Sequence, residues 1–539
     1  MARGTGFTLR DDDPRTFPEW IRHRARIGGD KVGLEINGVA RTYAELDELT
    51  DRTAAGFASL GLAPGEHVSL MMHNGIENVE AWFGIQKAGL VEIPIHTATR
   101  GVTLEHVIDH ADARALVVDA EFLPHVAAIV ERLPKLQHVI VHREAEAEQV
   151  ELPSRIAMHE LPDLYATGGS TPTPKVQLSD TAVVLHSSGT TGPPKGVLLS
   201  HEAVLNLTRH TVWLMDYTAE DRLFTAFPLF HNNAKYTSVC AALECGGSLV
   251  MERRFPVSTF WDVTREKGIT AFNYMGALVM MLHKQDRRDD DADNPVRIAF
   301  GAPCPVEIWD DFETRFGMRL VEVYGMTEAP MISENRLDDR RVGSAGRSSA
   351  TYEFQVVDEH DEPCPPNVPG EIVARPKRSY ALFSGYYKRP EDTVEAWRNL
   401  WFHTGDRGRV DEDGFLFFID RMKDCIRRRG ENISSWEVES TINTHPEVLE
   451  SAAYGVVSDL SESDVMIAVV ARNGETIDPA ELLDFCHGKL AHFAVPRYVR
   501  FMDALPRNHA ERVQKFELRA AGVTPDTWDR DAHGYKVRR

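Results

Sequence analysis

The stretch "LHSSGTTGPPKGVLLSH", Leu185 to His201, decides how the rest of the chain is read. Ala182–Leu185 is an apolar run that reads as a buried strand. It empties into Ser187-Ser188-Gly189-Thr190-Thr191-Gly192, then two prolines, then Lys195-Gly196. Glycines let backbone N–H groups approach phosphate oxygens closely. Four hydroxyls (Ser187, Ser188, Thr190, Thr191) add donors, and Lys195 adds positive charge. This is not a Walker A loop. Prolines separate Gly192 from Lys195, and no Ser or Thr follows the lysine. A Gly/Ser/Thr loop alone is often plain surface. The order of strand, hydroxyl-rich loop and Lys-Gly is what points to phosphate.

Outward from this loop, short β-branched runs alternate with helical periods. "YAELDELTDRTAAGFASLG" (Tyr43–Gly61) has helical apolar spacing and ends on a glycine suited to a C-cap. "HVSLMM" (His67–Met72) reads as a strand, and "ENVEAWFGIQKAGLVEIPI" as helix, Gly89, then strand. The rhythm returns at Thr181–Leu185, Arg222–Ala226, Ser248–Met251, Arg297–Phe300 and Leu320–Val323. Such alternation predicts α/β layers. From about Gly343, "EFQVVDEHDEPCPPNVPGEIVAR" reads as two strands around a Pro-rich turn, a small β subdomain. A further α+β unit follows: helix-like "SWEVESTINTH", strand-like "ESAAYGVV" and "DVMIAVVAR", then helix-like "PAELLDFCHGKL". "DRRDDDADN" (Asp286–Asn294) reads as a solvated loop.

At 539 residues the chain exceeds one core, so at least two domains are expected. A net charge of −22 argues against a broad nucleic-acid or anionic-membrane footprint, though not against a local phosphate pocket. No run of about 20 apolar residues occurs, so no membrane span is expected. "MARGTGFTLRDDD" lacks the apolar core of a signal peptide. The six cysteines are scattered without CxxC pairing, consistent with free thiols in the cytoplasm.

Four further motifs follow the phosphate loop in order: "FGAPCP" (Phe300–Pro305), "VYGMTEAP" (Val323–Pro330), "WFHTGDRG" (Trp401–Gly408) and "DRMKDCIRRRGENI" (Asp420–Ile433). With these five the chain resembles the adenylate-forming superfamily of acyl-CoA synthetases, nonribosomal-peptide adenylation domains and luciferases, over nearly its whole length. "FGMRLVEVYGMTE" and the late "LPRN" are closest in texture to the carnitine/crotonobetaine-CoA ligase-like branch. The resemblance implies a large N-terminal α/β domain over residues 1–420, a hinge at 421–425 and a small mobile α+β domain over 426–539.

It also implies ATP and Mg²⁺ as cofactors, with CoA as a co-substrate. Gly301, Ala302 and Pro303 would form the adenine turn. Tyr324, followed by Gly325 and Met326, would offer an aromatic face to adenine. Thr327 and Glu328 would hold phosphate oxygen and Mg²⁺, Glu328 being the metal ligand. Asp406 would accept from the ribose hydroxyls, assisted by Arg421, and Lys423 would be the hinge residue. His231 would line the acid pocket beside Asn232 and Asn233. Lys235, one helical turn on, could grip an anionic group or simply reach solvent. Tyr274, Met275 and Gly276 would form another wall. Arg427, Arg428 and Arg429 are candidates for CoA phosphates, or an exposed basic strand. A monomer or a homodimer is expected.

The last motif, "ALPRNHAERVQKFELR" (Ala504–Arg519), departs from the family pattern. Aligning Pro506, Val513, Lys515 and Leu518-Arg519 leaves Glu511 at the family glycine and Arg512 at the catalytic lysine. That lysine bridges carboxylate and α-phosphate in relatives. Arginine keeps the charge but changes its shape and reach. Three readings follow. One is an acyl-CoA ligase working through Arg512. Another is a diazotase that activates nitrite against an aryl amine. The third is a nucleotide-binding homologue with impaired catalysis. Arg512→Lys is expected to raise acid-dependent ATP–pyrophosphate exchange, by up to ~10²–10³, the typical worth of one preorganised charged donor.

Overall fold

The computed structural model describes residues 13–144, 150–166, 173–187, 194–422, 426–428, 431–433, 435–457, 463–474, 477–487, 489–490, 492–507 and 512–537. The chain divides into two compact units: Met1–Phe354 with Ala374–Phe402, and Gln355–Val373 with His403–Arg539. The fold is mixed α/β, with a large N-terminal and a small C-terminal domain, as the alternating pattern predicts.

Two sheets organise the first unit. An eight-stranded sheet runs in the order Gly385–Tyr386, Lys195–Ser200, Thr181–Ser187, Val91–Pro94, His67–Met71, Ala115–Asp119, His138–His142, Ala157–Glu160. From Thr181–Ser187 onward its neighbours pair in parallel. A nine-stranded sheet carries Arg319–Tyr324, Ile298–Ala302, Ala271–Met275, Arg222–Thr225 and Ser248–Met251 as parallel neighbours. Every residue of Val91–Pro94 and of Ala115–Asp119 is buried, as a parallel sheet covered on both faces requires. The strands expected from short β-branched runs therefore form where the pattern put them.

Helices fill the space around these sheets. Ile76–Lys87 is buried along its whole length and packs against strands of both sheets, which is why it has no polar face. Its Lys87 is fully buried and paired with Asp47 and Asp51 of the neighbouring helix. That neighbour, Tyr43–Ser59, starts on a capping box. Thr42 accepts from the Glu45 N–H, and the Glu45 carboxylate accepts from the Thr42 N–H at 2.8 Å. It closes at Gly61, whose φ of 80° suits glycine.

The second unit holds the paired strands Phe402–Val410 and Leu416–Arg421, against which residues 355–373 return. Thr404 Oγ1 donates to the Ile372 carbonyl at 2.7 Å, and the Asn367 N–H donates to the Val410 carbonyl at 2.7 Å. Its C-terminal part is a four-stranded sheet, Val448–Val457, Ser463–Ala471, Tyr498–Phe501 and Trp528–Asp529, packed on helices Ser435–Asn443 and Pro479–Phe485. Among the described residues the cysteines are free thiols, and no helix is long and apolar enough to cross a membrane.

The acidic run at 286–294 is more than a solvated loop. Asp291 turns inward and its carboxylate accepts from Arg315 Nε at 2.6 Å, with both side chains buried. Arg315 stands on Val306–Phe316, the helix that lays Trp309, Phe312 and Phe316 on the nine-stranded sheet. Trp309 is fully buried there. Trp309→Ala is expected to cost about 3–5 kcal/mol, read as a lower midpoint in urea unfolding.

Candidate active site

The nine-stranded sheet brings the expected adenine turn against the expected acid wall. Tyr274 pairs with Gly301, and Met275 with Ala302, in adjacent parallel strands. Gly301 in turn pairs with Glu322 on its other side. A Cβ on Gly301 would collide with the Tyr274 carbonyl, so only glycine permits this approach. Gly276 is similarly tight: a Cβ there would stand 2.7 Å from the Pro303 carbonyl. Next, strand Arg319–Tyr324 ends in a turn closed by the Met326 N–H donating to the Ala329 carbonyl at 3.2 Å. This turn lifts Thr327 and Glu328 beyond the end of the sheet.

Glu328 is held from two sides. Tyr386 donates its hydroxyl to Glu328 Oε1 at 3.0 Å, and the Phe383 N–H donates to the Glu328 carbonyl at 3.0 Å. Burial and the carboxylate both push the Tyr386 phenol upward, so it remains a donor. Lys195, at the exit of the phosphate loop, lies over the Tyr386 ring at 4.8 Å and 3.6 Å from Asp392. A carboxylate, a phenol and a lysine thus meet beside the loop, and Glu328 is a suitable oxygen ligand for a hard cation. Tyr386 and Asp392 were absent from the sequence-derived site. The "SGYYKRPEDT" run (Ser384–Thr393) carries both and could have flagged them.

On the acid side, His231 is exposed and precedes a helix that is not uniform. Asn232–Ala234 is α, Lys235–Val239 is π, and Cys240–Glu244 is α again. Thr237 and Ser238 both donate their hydroxyls to the Asn233 carbonyl, at 2.7 and 3.0 Å. Asn273 Nδ2 lies 2.7 Å from Asn233 Oδ1, tying the turn to the strand that bears Tyr274.

Two pocket expectations are corrected. Lys235 is fully buried and ion-paired at 2.6 Å with Glu92, itself fully buried, so its charge is already answered within the protein. Tyr274 points into the core and donates its hydroxyl to the Val321 carbonyl at 3.3 Å. The exposed member of that wall is Met275.

In the second unit Asp406 and Arg421 face each other across paired strands, Arg421 Nε lying 3.9 Å from Asp406 Oδ1. Asp406 is buried, and its N–H donates to Thr404 Oγ1 at 3.1 Å. In the final motif the Gln514 N–H donates to the Pro506 carbonyl at 2.7 Å, and Arg512 is exposed. Lys515 instead lies 2.7 Å from Glu439 and donates to Ser435 Oγ at 2.6 Å. Arg428 is not an exposed phosphate contact. It is buried, pairs with Asp464 at 2.9 Å and donates to the Phe493 carbonyl. Ser188, Gly189, Thr190, Thr191, Gly192, Lys423, Cys425, Arg429 and Glu511 lie outside the described residues, and for Ser187 and Arg427 only backbone is described.

The described residues thus gather Lys195, Tyr386 and Glu328 in the first unit and Asp406 with Arg421 in the second. The AMP-binding enzyme family matches residues 21–387, and the AMP-binding enzyme C-terminal domain matches residues 437–512. The chain belongs to this adenylate-forming family, and it is a ligase of the acyl-CoA synthetase kind. It is 31% identical over 507 residues to crotonobetaine/carnitine–CoA ligase of Salmonella heidelberg (strain SL476), covering 92% of this chain and 97% of the relative. ATP-bound MatB from Rhodopseudomonas palustris superposes with a TM-score of 0.79 at 28% identity, over 91% of this chain and 96% of that one. The anthranilate CoA ligase AuaEII in complex with anthranoyl-AMP gives a TM-score of 0.84 over 96% and 99% of the two chains. At 23% identity that likeness speaks to fold alone.

One buried group at this site titrates unusually. Burial pushes the Glu322 carboxyl up to about 8, only partly offset by the Cys304 N–H that it accepts. The folded chain therefore holds a proton there that the unfolded chain releases in the ordinary carboxyl range. This contribution to stability is full below that range and is lost as pH rises through about 8. Glu322→Gln keeps an acceptor for Cys304 and removes the titration. The wild-type melting temperature is expected to fall between pH 5 and pH 8 by several degrees more than that of the variant, measured by thermal unfolding (roughly, from the linkage relation).

Proposed function

We propose that this enzyme couples ATP to a small organic acid and passes the acyl group to CoA. The acid's carboxylate oxygen attacks the α-phosphorus, forming acyl-AMP as the bond to pyrophosphate breaks. The CoA thiol then attacks the acyl carbon, and AMP leaves. The observation that carries this reading is the register pairing Tyr274–Met275 with Gly301–Ala302. It puts the exposed Met275 beside Ala302, one strand from the turn bearing Glu328, which supports an acid pocket next to a nucleotide turn.

Within this reading Lys195 attracts the outer phosphates, and Tyr386 holds Glu328 in one orientation. Mg²⁺ bound at Glu328, with Thr327 nearby, would neutralise phosphate charge. Asp406 and Arg421 take the ribose, and Arg512 takes the place of the family lysine on the carboxylate and α-phosphate. Positioning and charge neutralisation then supply most of the catalysis.

The acid itself is read from what faces it. With the Lys235 charge consumed by Glu92, the described part of that turn presents His231, Asn232 and Asn233 rather than a cation. This favours a monocarboxylic acid whose remainder is neutral and hydrogen-bonding or aromatic, over a dicarboxylate such as a malonate. ATP–pyrophosphate exchange over matched mono- and dicarboxylic acids, followed by CoA-dependent release of AMP, tests it. Exchange is expected with monocarboxylic acids, with thioester formed on adding CoA. Failure with every acid, together with ATP consumption on nitrite plus an aminobenzoate, would replace this reading with the diazotase one.

A further inference from the structure

Lys235 and Glu92 form an ion pair whose two side chains are both 0% exposed. Such a pair is an uneconomical way to hold a fold. Two charges leave water, and an apolar pair of similar volume is often as stable or more so. Its partners are also incomplete: Glu92 Oε2 is buried without a hydrogen-bond partner. Lys235 gains a second contact, its ammonium lying 3.5 Å from the centroid of the fully buried Trp82 ring.

The two ends of the pair sit in telling places. Lys235 opens the π turn, where the Cys240 N–H donates to the Lys235 carbonyl, five residues back. Single π turns inside α-helices are rare and concentrate at functional sites. Immediately before the turn come Asn232 and Asn233, and His231 accepts the Lys235 N–H at 3.2 Å through its carbonyl. Glu92 stands in the middle of the eight-stranded sheet, opposite Val183 of the strand that leads into the phosphate loop. One ion pair therefore joins the turn facing the acid to the sheet carrying the loop for ATP.

We propose that the Lys235–Glu92 pair is a positioning clamp that fixes the π turn, and with it Asn232 and Asn233, at the height the acid requires. This rests on the ligase reading above. The pair touches no reacting atom. It acts on how well the acid is held, through the network in which Asn273 Nδ2 meets Asn233 Oδ1, Thr237 Oγ1 and Ser238 Oγ at 2.7, 3.0 and 2.9 Å. Without the clamp the turn can relax toward α geometry, and those three acceptors no longer converge on one amide.

The test compares the wild type with Glu92→Gln/Lys235→Met, which replaces both charges with neutral groups of similar size. Each protein is measured by thermal unfolding and by ATP–pyrophosphate exchange over the same acid panel. The double variant is expected to melt close to the wild type, to show at least a tenfold higher KM for its best acid, and to keep the KM for ATP within twofold. Glu92→Asp keeps both charges and withdraws the carboxylate by one methylene, so its acid KM should fall between the two. It serves as the readout if the double variant does not fold. Acid KM and acid preference unchanged in a folded variant would overturn the clamp while leaving the ligase reading intact. No exchange by the wild type with any acid would overturn both.

Discussion

The constraint on which this end of the nine-stranded sheet depends is the contact between Gly301 and the backbone of the neighbouring strand, which leaves no room for a side chain. The Tyr274 carbonyl occupies the space that a Cβ would need. The segments that follow these two strands therefore leave the sheet side by side. On the other flank, Glu322 pairs with Gly301 and reaches back to accept the Cys304 N–H at 3.1 Å, stiffening the same turn from below. The carboxyl ends of parallel strands are where α/β sheets bind ligands.

Charge in the first unit follows a consistent economy. Cations within the protein are matched internally: Lys87 by two aspartates, Lys235 by Glu92, Arg315 by Asp291. Lys195, at 34% exposure, lies 3.6 Å from Asp392 and over the Tyr386 ring. The second unit repeats the division. Arg428 and Arg497 share the buried Asp464, and Lys515 is held by Glu439 and Ser435, whereas Arg512 is exposed.

Much of this was legible in the chain because it is local. Strand limits came from short β-branched runs, and the Tyr43–Ser59 helix from its apolar spacing and closing glycine. The motif order carried the family. What stayed hidden is long-range. Spacing puts Lys235 on a helix face, but nothing local names Glu92, 143 residues away, as its partner. Tyr274 was expected as a pocket wall, yet strand alternation turned it into the core and left Met275 facing out. Arg428 lies in a basic run that reads as surface, and only tertiary contact with Asp464 makes it structural. Tyr386 has no distinguishing period because it stands in a strand of only two residues, and its meaning comes from the carboxylate it meets.

The π turn at Lys235–Val239 also bears on how such a chain can diversify. A π turn amounts to one residue more than an α-helix would use over the same path, and each residue in a helix advances by about 100° (from 3.6 residues per turn). Losing a single codon there would therefore restore plain α geometry with both flanking segments still seated, whereas the same loss in an α segment would rotate one side by that angle. A change of one residue in length is thus absorbed within Lys235–Val239, and the sheets on either side keep their register.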